Sequence, residues 1–218
     1  YRDSTIIDGN QSGSVIKSIT PTSHAGIYGF TLTNGSGSAL AYFQGVQGKL
    51  GGGIAVHDAI SFYVSNCIIE NNIAYWGGGF WIYQSTIHAI DTIIRDNFAS
   101  DGGGLYLSGQ SSIIFDQSNR CSIYENTSGG IQEIVASDSR LYNEIYLDIG
   151  TVGPSTDFYI FYRKVSPDDP GGFPIIDIQR GHRTEINHDL YVSPSGNDAN
   201  DGLSITTPLK NIYRAMQM

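Results

Sequence analysis

The chain of 218 residues is 40% apolar and only 15% charged, which excludes an intrinsically disordered protein, because such chains carry many charges and few apolar groups. Its formal net charge of −9 argues against nucleic acid as a partner, since an acidic surface repels the phosphate backbone. No run of about 18 apolar residues occurs, so we expect no membrane-spanning segment.

Glycine triplets recur at an even spacing through the first part of the chain. They occupy Gly51–Gly53, Gly77–Gly79 and Gly102–Gly104, and a degenerate fourth copy, Ser128–Gly130, follows. The copies begin at positions 51, 77, 102 and 128, which gives steps of 26, 25 and 26 residues. Such a period is typical of a solenoid that is built from one short unit per repeat.

Each repeat holds three short segments with strand patterns. Apolar residues alternate after the glycines, and a second apolar block that ends in asparagine precedes them. The segments after the glycines are Ile54–Val56, Phe80–Tyr83, Leu105–Leu107 and Ile131–Ile134; the blocks before them are Phe30–Asn34, Cys67–Asn72, Thr92–Asn97 and Cys121–Asn126; the third segments are Ile60–Val64, Thr86–Ile90 and Ser112–Phe115.

Three strands in each repeat predict an all-β fold, the right-handed parallel β-helix, in which equivalent strands of successive coils pair about 4.8 Å apart. We expect two ladders along the solenoid: Leu32, Ile69, Ile94 and Ile123 inside the core, and Asn72, Asn97 and Asn126 at a corner. Asparagine tolerates the left-handed conformation that such a corner needs. The sequence lacks the Leu-x-x-Leu-x-Leu pattern of a leucine-rich repeat, and a propeller blade of about 40 or more residues is longer than the repeat found here. An antiparallel sandwich does not account for the even period.

Two successive repeats share an Asn-x-Ala element before the glycines and a large apolar residue after them. These are Asn72–Ala74 with Gly77–Phe80, and Asn97–Ala99 with Gly102–Leu105. They resemble the repeats of chlamydial polymorphic outer-membrane proteins, within the pectate-lyase-like superfamily, although Ile replaces the aromatic residue and Gly replaces the Ala of that pattern. The resemblance implies a bacterial protein that is secreted or lies at the cell surface.

The C-terminal part resembles the opening segment of many bacterial right-handed β-helix proteins, in which a strand, an Asp/Asn/Gly loop and a short helix cap the first coil. The matching residues are Leu190–Leu203 and Thr207–Ile212, and the helix is expected from about Pro208 with Leu209, Ile212 and Met216 on one side. We therefore predict a β-helix over 1–150, a bridging β-rich segment over 151–187 and the opening cap of a second β-helix over 188–218. The bridging segment contains Pro154, Pro167, Pro170, Pro174 and the strand-like Phe158–Tyr162.

The superfamily includes polysaccharide lyases and glycoside hydrolases, which need carboxylates, and in lyases a basic residue that takes a proton. The best local group of this kind is Glu70, Asp91, Arg95 and Asp96. Alternating charges in successive coils are equally typical of a solvated surface ladder, so both interpretations stay open.

Aromatic residues mark a second candidate surface. Strand alternation places Trp81, Tyr83 and Tyr106 on the outside of the solenoid, with Trp76 beside them. An exposed patch of rings would bind sugar rings or a protein partner. Alternatively, the bridging segment or a loop covers them.

The loop Asn197–Gly202 carries oxygen ligands at alternate positions and resembles a Ca²⁺ loop, with Asn197, Asp198, Asn200 and Asp201 as the candidate ligands. The distal Glu of an EF-hand is absent, so a turn held by Asn and Asp side chains is the competing interpretation. No cofactor other than Ca²⁺ is expected. The repeat places Cys67 and Cys121 two coils apart, about 9.6 Å, which is too far for a disulfide, and predicts two free inward thiols.

These observations favour a non-enzymatic solenoid, secreted or on the cell surface, that binds polysaccharide or a surface protein or serves as a stalk. The alternatives are a carbohydrate-active enzyme, either a lyase or a glycoside hydrolase, whose site lies partly outside these residues, and a purely structural spacer. Fold alone does not choose among them.

Overall fold

The computed structural model describes residues 2–20, 24–39, 48–129, 133–137, 145–153, 160–163, 176–183, 188–198 and 200–215. The chain is all-β, all its named strands pair in parallel, and they wind into a β-solenoid of about five turns. The turns hold, in chain order, β1 (Ile6–Asp8), β2 (Ile16–Ile19), β3 (Ala25–Tyr28); β4 (Thr31–Thr33), β5 (Ile54–His57), β6 (Phe62–Ser65); β7 (Ile68–Glu70), β8 (Ile73–Trp76), β9 (Phe80–Tyr83), β10 (Thr86–Ile90); β11 (Ile93–Arg95), β12 (Phe98–Asp101), β13 (Leu105–Ser108), β14 (Ser112–Phe115); and β15 (Cys121–Tyr124), β16 (Thr127–Ser128), β17 (Ile134–Ser137).

Equivalent strands of successive turns form four parallel sheets. Sheet A has the order β1-β4-β7-β11-β15, sheet B β2-β5-β9-β13-β17, sheet C β3-β6-β10-β14 and sheet D β8-β12-β16. Ile54 pairs with Phe80, and Phe80 pairs with Leu105, so the predicted in-register parallel strands after the glycines are confirmed.

Three later strands extend these sheets beyond the fifth turn. They are β18 (Ile145–Gly153) and β20 (Ile176–Arg183), which continue sheet A, and β19 (Ile160–Arg163), which continues sheet B. Strand β18 crosses position 150, so the sheets of the solenoid run on into residues that we predicted as a bridging segment. The four prolines of that segment, with Phe158 and Tyr159, lie outside the described residues.

The core consists of the inward residues of sheets A, B and C. The predicted ladder is confirmed: Leu32, Ile69 and Ile123 are fully buried and Ile94 is nearly so. Burying each of these side chains contributes about 1.5–3 kcal/mol. Cys67 and Cys121 are free and buried in the same core, as the repeat alignment predicts.

The asparagine ladder at the corner between sheets A and D is also confirmed. The Nδ2 group of Asn72 donates to Oδ1 of Asn97 at 3.0 Å, and Nδ2 of Asn97 donates to Oδ1 of Asn126 at 2.9 Å. The last rung differs, because Nδ2 of Asn126 donates to the carboxylate of the buried Glu133 at 2.9 Å.

The expectation that the ladder asparagines are themselves left-handed is wrong. Positive φ angles of 55°, 53° and 56° occur one residue earlier, at Asn71, Asp96 and Glu125. The chain turns at these exposed or half-exposed positions, and the turn aims the following asparagine side chain inward, where it reaches the backbone of the neighbouring turn.

The glycine triplets combine a turn with a close approach of two backbones. Gly77 has a φ of +66°, which costs glycine little. A β-carbon at Gly78 would lie 2.6 Å from the carbonyl oxygen of Gly103 in the next turn. Successive turns therefore stack at their normal spacing only because this corner carries no side chain.

Two short helices complete the described structure. A 3₁₀ helix covers Arg2–Ser4, and an α-helix, α1, covers Ile212–Ala215. A parallel bridge joins Val192 to Leu209 near α1, and the interpretation of residues 188–218 as an opening cap stays a prediction. In the part of the chain that the structure describes, neither helix has the length and apolar character needed to cross a bilayer.

Candidate functional site

Trp76, Trp81, Tyr83 and Tyr106, hereafter the aromatic cluster, lie together on the outside of sheet B and its edge. Trp81 and Tyr106 are partners in register on β9 and β13, so the prediction that they are neighbours is confirmed. The prediction that both are exposed is wrong, because Trp81 is 0% and Tyr106 only 9% exposed. Alternation predicted the correct face of the sheet but not whether that face is covered.

The rings of the aromatic cluster cover one another. Trp76 stacks on Tyr106 with centroids 5.1 Å apart and planes at 6°, and Trp81 lies parallel to Tyr83 at 5.9 Å. Buried Leu50 packs against the same outer face of sheet B. The cluster is thus a second hydrophobic core outside the solenoid wall, and only the half-buried Trp76 and Tyr83 reach its surface.

The indole of Trp76 joins this buried cluster to an exposed surface on sheet D. Ile73, Tyr75 and Phe98 are 56%, 46% and 46% exposed, and Ile73 pairs in register with Phe98. Tyr75 lies 5.6 Å from Trp76 between ring centroids. We call Ile73, Tyr75, Trp76 and Phe98 the aromatic ridge.

The aromatic ridge was not predicted, although the sequence carries a signal for it. Strands β8 and β12 each place a large apolar residue beside a buried alanine, Ala74 or Ala99. Small inward residues and large outward residues reverse the usual pattern of a solenoid strand. A ligand surface is one physical reason for that reversal, since exposed apolar residues grouped on one face often mark an interaction site.

A carboxylate lies at one end of the aromatic ridge. Asp101 is the register partner of Trp76, and its Oδ2 accepts a hydrogen bond from Nε1 of that indole at 3.2 Å. At the ends of β8 and β12, next to the exposed rings, Asp101 thus supplies a hydrogen-bond acceptor that Trp76 holds in place.

The four candidate catalytic residues do not form one group. Arg95 binds Glu70 at 2.7 Å and lies 3.7 Å from Asp96, whereas Asp91 forms an ion pair with Arg2 at 3.3 Å. Desolvation lowers the pKa of Arg95, but the hydrogen bonds and charges of Glu70 and Tyr124 together raise it above its usual value. The interpretation as a surface ladder fits these contacts.

The carboxylates of the candidate Ca²⁺ loop are used within the loop. Asp198 accepts hydrogen bonds from the backbone N–H groups of Lys210 and Asn211 at 2.9 Å each, and Asp201 accepts one from Oγ1 of Thr207 at 2.8 Å. The side-chain hydrogen bond of Asn211 first, and these backbone bonds, lower the pKa of Asp198.

The two asparagines of this loop, Asn197 and Asn200, flank its first turn. The backbone N–H of Asn200 donates to the backbone carbonyl of Asn197 at 2.9 Å. The side-chain Nδ2 of Asn200 donates to the carbonyl of Pro208, also at 2.9 Å. The turn interpretation accounts for all these contacts. Within the described ranges, His, Cys, Asp and Glu side chains form no group of three that could hold a metal.

Comparison with protein-family models, with curated proteins and with solved structures finds no match to this chain. The assignment as a β-solenoid therefore rests on its parallel strand pairing, and the resemblance to polymorphic outer-membrane protein repeats stays a prediction.

Proposed function

We propose that this solenoid is a non-enzymatic binding module of a secreted or cell-surface protein, and that it binds glycans through the aromatic ridge. The observation that carries the proposal is the exposure of three large apolar side chains on one face of sheet D. Removing such surface from water contributes about 25 cal/mol per Å². A ligand that covers the ridge therefore gains free energy that the protein alone does not obtain.

The chemistry of the ridge favours a sugar over a purely apolar ligand. The rings of Tyr75 and Phe98 offer faces for the C–H groups of a pyranose. The Asp101 carboxylate, held by the indole of Trp76, offers an acceptor for a hydroxyl group. Sugars combine these two kinds of surface, whereas a lipid chain has no hydroxyl group to donate to the carboxylate.

The backbone that carries the ridge is rigid. The N–H of Ile73 donates to the carbonyl of Gly35 at 2.9 Å, and the N–H of Phe98 donates to the carbonyl of Asn72 at 2.9 Å. Both strands are therefore fixed before a ligand arrives. Such preorganisation lowers the entropic cost of binding.

The location is proposed from a different observation. Residues 72–80, 97–105 and 190–212 resemble segments of bacterial surface and secreted β-helix proteins. An adhesin-like module needs an extended, rigid scaffold, which a parallel solenoid supplies.

A glycan array followed by calorimetric titration of the strongest hit tests the proposal. The double variant Tyr75→Ala/Phe98→Ala removes two exposed rings, and Tyr28→Ala removes a ring that is 58% exposed on sheet C as a matched control. We expect the ridge variant to lose at least about tenfold in affinity, as two lost ring contacts imply, and the control to bind as the wild type does. Wild-type protein that retains no glycan, or a ridge variant with unchanged affinity, contradicts the proposal.

A further inference from the structure

A cleft of about 430 Å³ lies near the N-terminal ends of the strands of sheet A, whereas the asparagine ladder follows their C-terminal ends. We call it the polar cleft; it is lined by Asp91, residues 117–120, Asp148 and Gln179. These groups belong to the turn before β11, the loop before β15, and strands β18 and β20, which are neighbours in sheet A. The cleft thus follows the solenoid axis over four strands, or about 14 Å.

Every charged side chain that lines the polar cleft already has a partner of opposite charge. Asp91 binds Arg2 at 3.3 Å, Arg120 binds Asp177 at 2.8 Å, and Asp148 binds Arg180. Arg120 also donates to the backbone carbonyl of Leu147 at 3.3 Å. A charged ligand, whether anion or cation, would have to break one of these ion pairs before it gained a contact.

Nδ2 of Asn119 donates to Oδ1 of Asp116 at 3.2 Å, but the other three neutral polar side chains of the cleft are not used in this way. Within the described part of the chain, the side chains of Gln117, Ser118 and Gln179 form no hydrogen bond to another protein group. Each amide both donates and accepts, and so does the hydroxyl group. Such groups complement ligand hydroxyls, which also donate and accept.

We propose that the polar cleft is a binding site for uncharged saccharide units, recognised through the side chains of Gln117, Ser118 and Gln179. The volume lies in the range of about 300–1,000 Å³ that ligand pockets occupy. The inference rests on the proposed glycan-binding function for its class of ligand, and it adds a second site and a preference for neutral over uronate-type sugars. The cleft and the aromatic ridge lie near opposite ends of the strands of sheet A. The residues of one site can therefore be substituted without changing those of the other.

Calorimetric titration of the full chain with neutral cello-, xylo- and malto-hexaose, and with hexagalacturonate as the charged probe, tests the inference. Gln117→Ala/Gln179→Ala removes two exposed amides, and Lys17→Ala, on the exposed surface of β2, is the control. We expect one neutral hexasaccharide to bind, the cleft variant to weaken it by about tenfold or more, and the control to leave it unchanged.

The other outcomes separate the two proposals. If Tyr75→Ala/Phe98→Ala loses neutral saccharide while the cleft variant binds as the wild type does, the inference fails and the proposed function stands. Tighter binding of hexagalacturonate than of every neutral probe overturns the inference alone. If no saccharide binds in this titration or on the glycan array, both proposals fail.

Discussion

Replacing Asn97 by alanine tests the ladder that joins three turns of the solenoid. The Oδ1 atom of Asn97 accepts from the backbone N–H of Asn72 at 3.1 Å and from its Nδ2 at 3.0 Å. Its own Nδ2 donates to Oδ1 of Asn126 at 2.9 Å and to the carbonyl of Ile69 at 2.8 Å. The substitution therefore removes four buried hydrogen bonds.

Four such bonds at about 0.5–1.5 kcal/mol each give a loss of about 2–6 kcal/mol in the free energy of unfolding. The backbone N–H of Asn72 is then left buried without its acceptor, which places the expected loss in the upper half of that range. Against a typical total of about 5–15 kcal/mol, the loss is large.

Urea unfolding followed by circular dichroism measures this loss, and hydrogen exchange of the Asn72 amide locates it. Thr127→Ala, at an exposed position one turn further on, is the control and should change stability by less than about 0.5 kcal/mol. A loss below about 1 kcal/mol for Asn97→Ala, with the Asn72 amide still protected, would refute the reasoning.

Three further predictions concern buried or half-buried side chains. Trp81→Ala should lower the free energy of unfolding by about 3–5 kcal/mol in urea titrations, because the indole is fully buried; an unchanged midpoint would contradict that burial. Thiol titration of unreduced protein should find two free thiols after denaturation, and the same thiols should react slowly in the folded protein. The reason is that burial raises the pKa of Cys67, and that of Cys121 to about 12. A mass shift for an intramolecular bridge would contradict the repeat alignment. Burial, and then the charge of His24, lower the pKa of His88, so the unfolded chain binds a proton more readily than the folded one. Stability should therefore fall as the pH drops below about 6.5 through the folded pKa, and His88→Gln should reduce that fall in urea titrations at pH 7.5 and pH 5; an identical fall in the variant would contradict it.

The sequence was sufficient to predict the turns of the solenoid and the direction of its side chains. The period of the glycine triplets predicts which residues stack as far as Leu105, and strand alternation predicts which of them point inward, as at Ile54 and Val56. The degenerate fourth copy predicts the wrong register, because Leu105 pairs with Ile134 and not with Ile131. Both signals are local and repeat several times, so an error in one copy does not hide the pattern.

The covering of Trp81 could not be predicted in the same way. Alternation states that the side chain leaves the solenoid wall, and the repeat places Leu50 directly before its glycine triplet, in a parallel bridge with Trp76. Neither signal states that Leu50 and Trp76 pack back over the outer face of sheet B. The polar cleft was not predicted either, since its groups at positions 91, 117–120, 148 and 179 come from separate turns. The turn that leads to β15 is also longer than the one before it, because Ile93 pairs with Ser122, 29 residues on, whereas Ile68 pairs with Ile93, 25 residues on.

The structure brings the candidate catalytic residues together only in part, for a related reason. Glu70 and Arg95 occupy equivalent positions on β7 and β11, so their pairing follows from the repeat. Asp91 precedes β11 at the other edge of sheet A, and its pairing with Arg2 joins residues 89 positions apart. A contact of that separation has no counterpart in the repeat pattern.

Fluorescence titration of the two tryptophans tests most directly whether the aromatic ridge is the ligand surface. The chain has only Trp76 and Trp81, and the first is half-buried at the ridge whereas the second is fully buried beneath it. With the strongest hit of the glycan array as titrant, we expect the emission change and the protection from acrylamide quenching to vanish in Trp76→Phe and to persist in Trp81→Phe. A signal that persists in Trp76→Phe at unchanged affinity would contradict the account, because ligand would then bind away from the ridge.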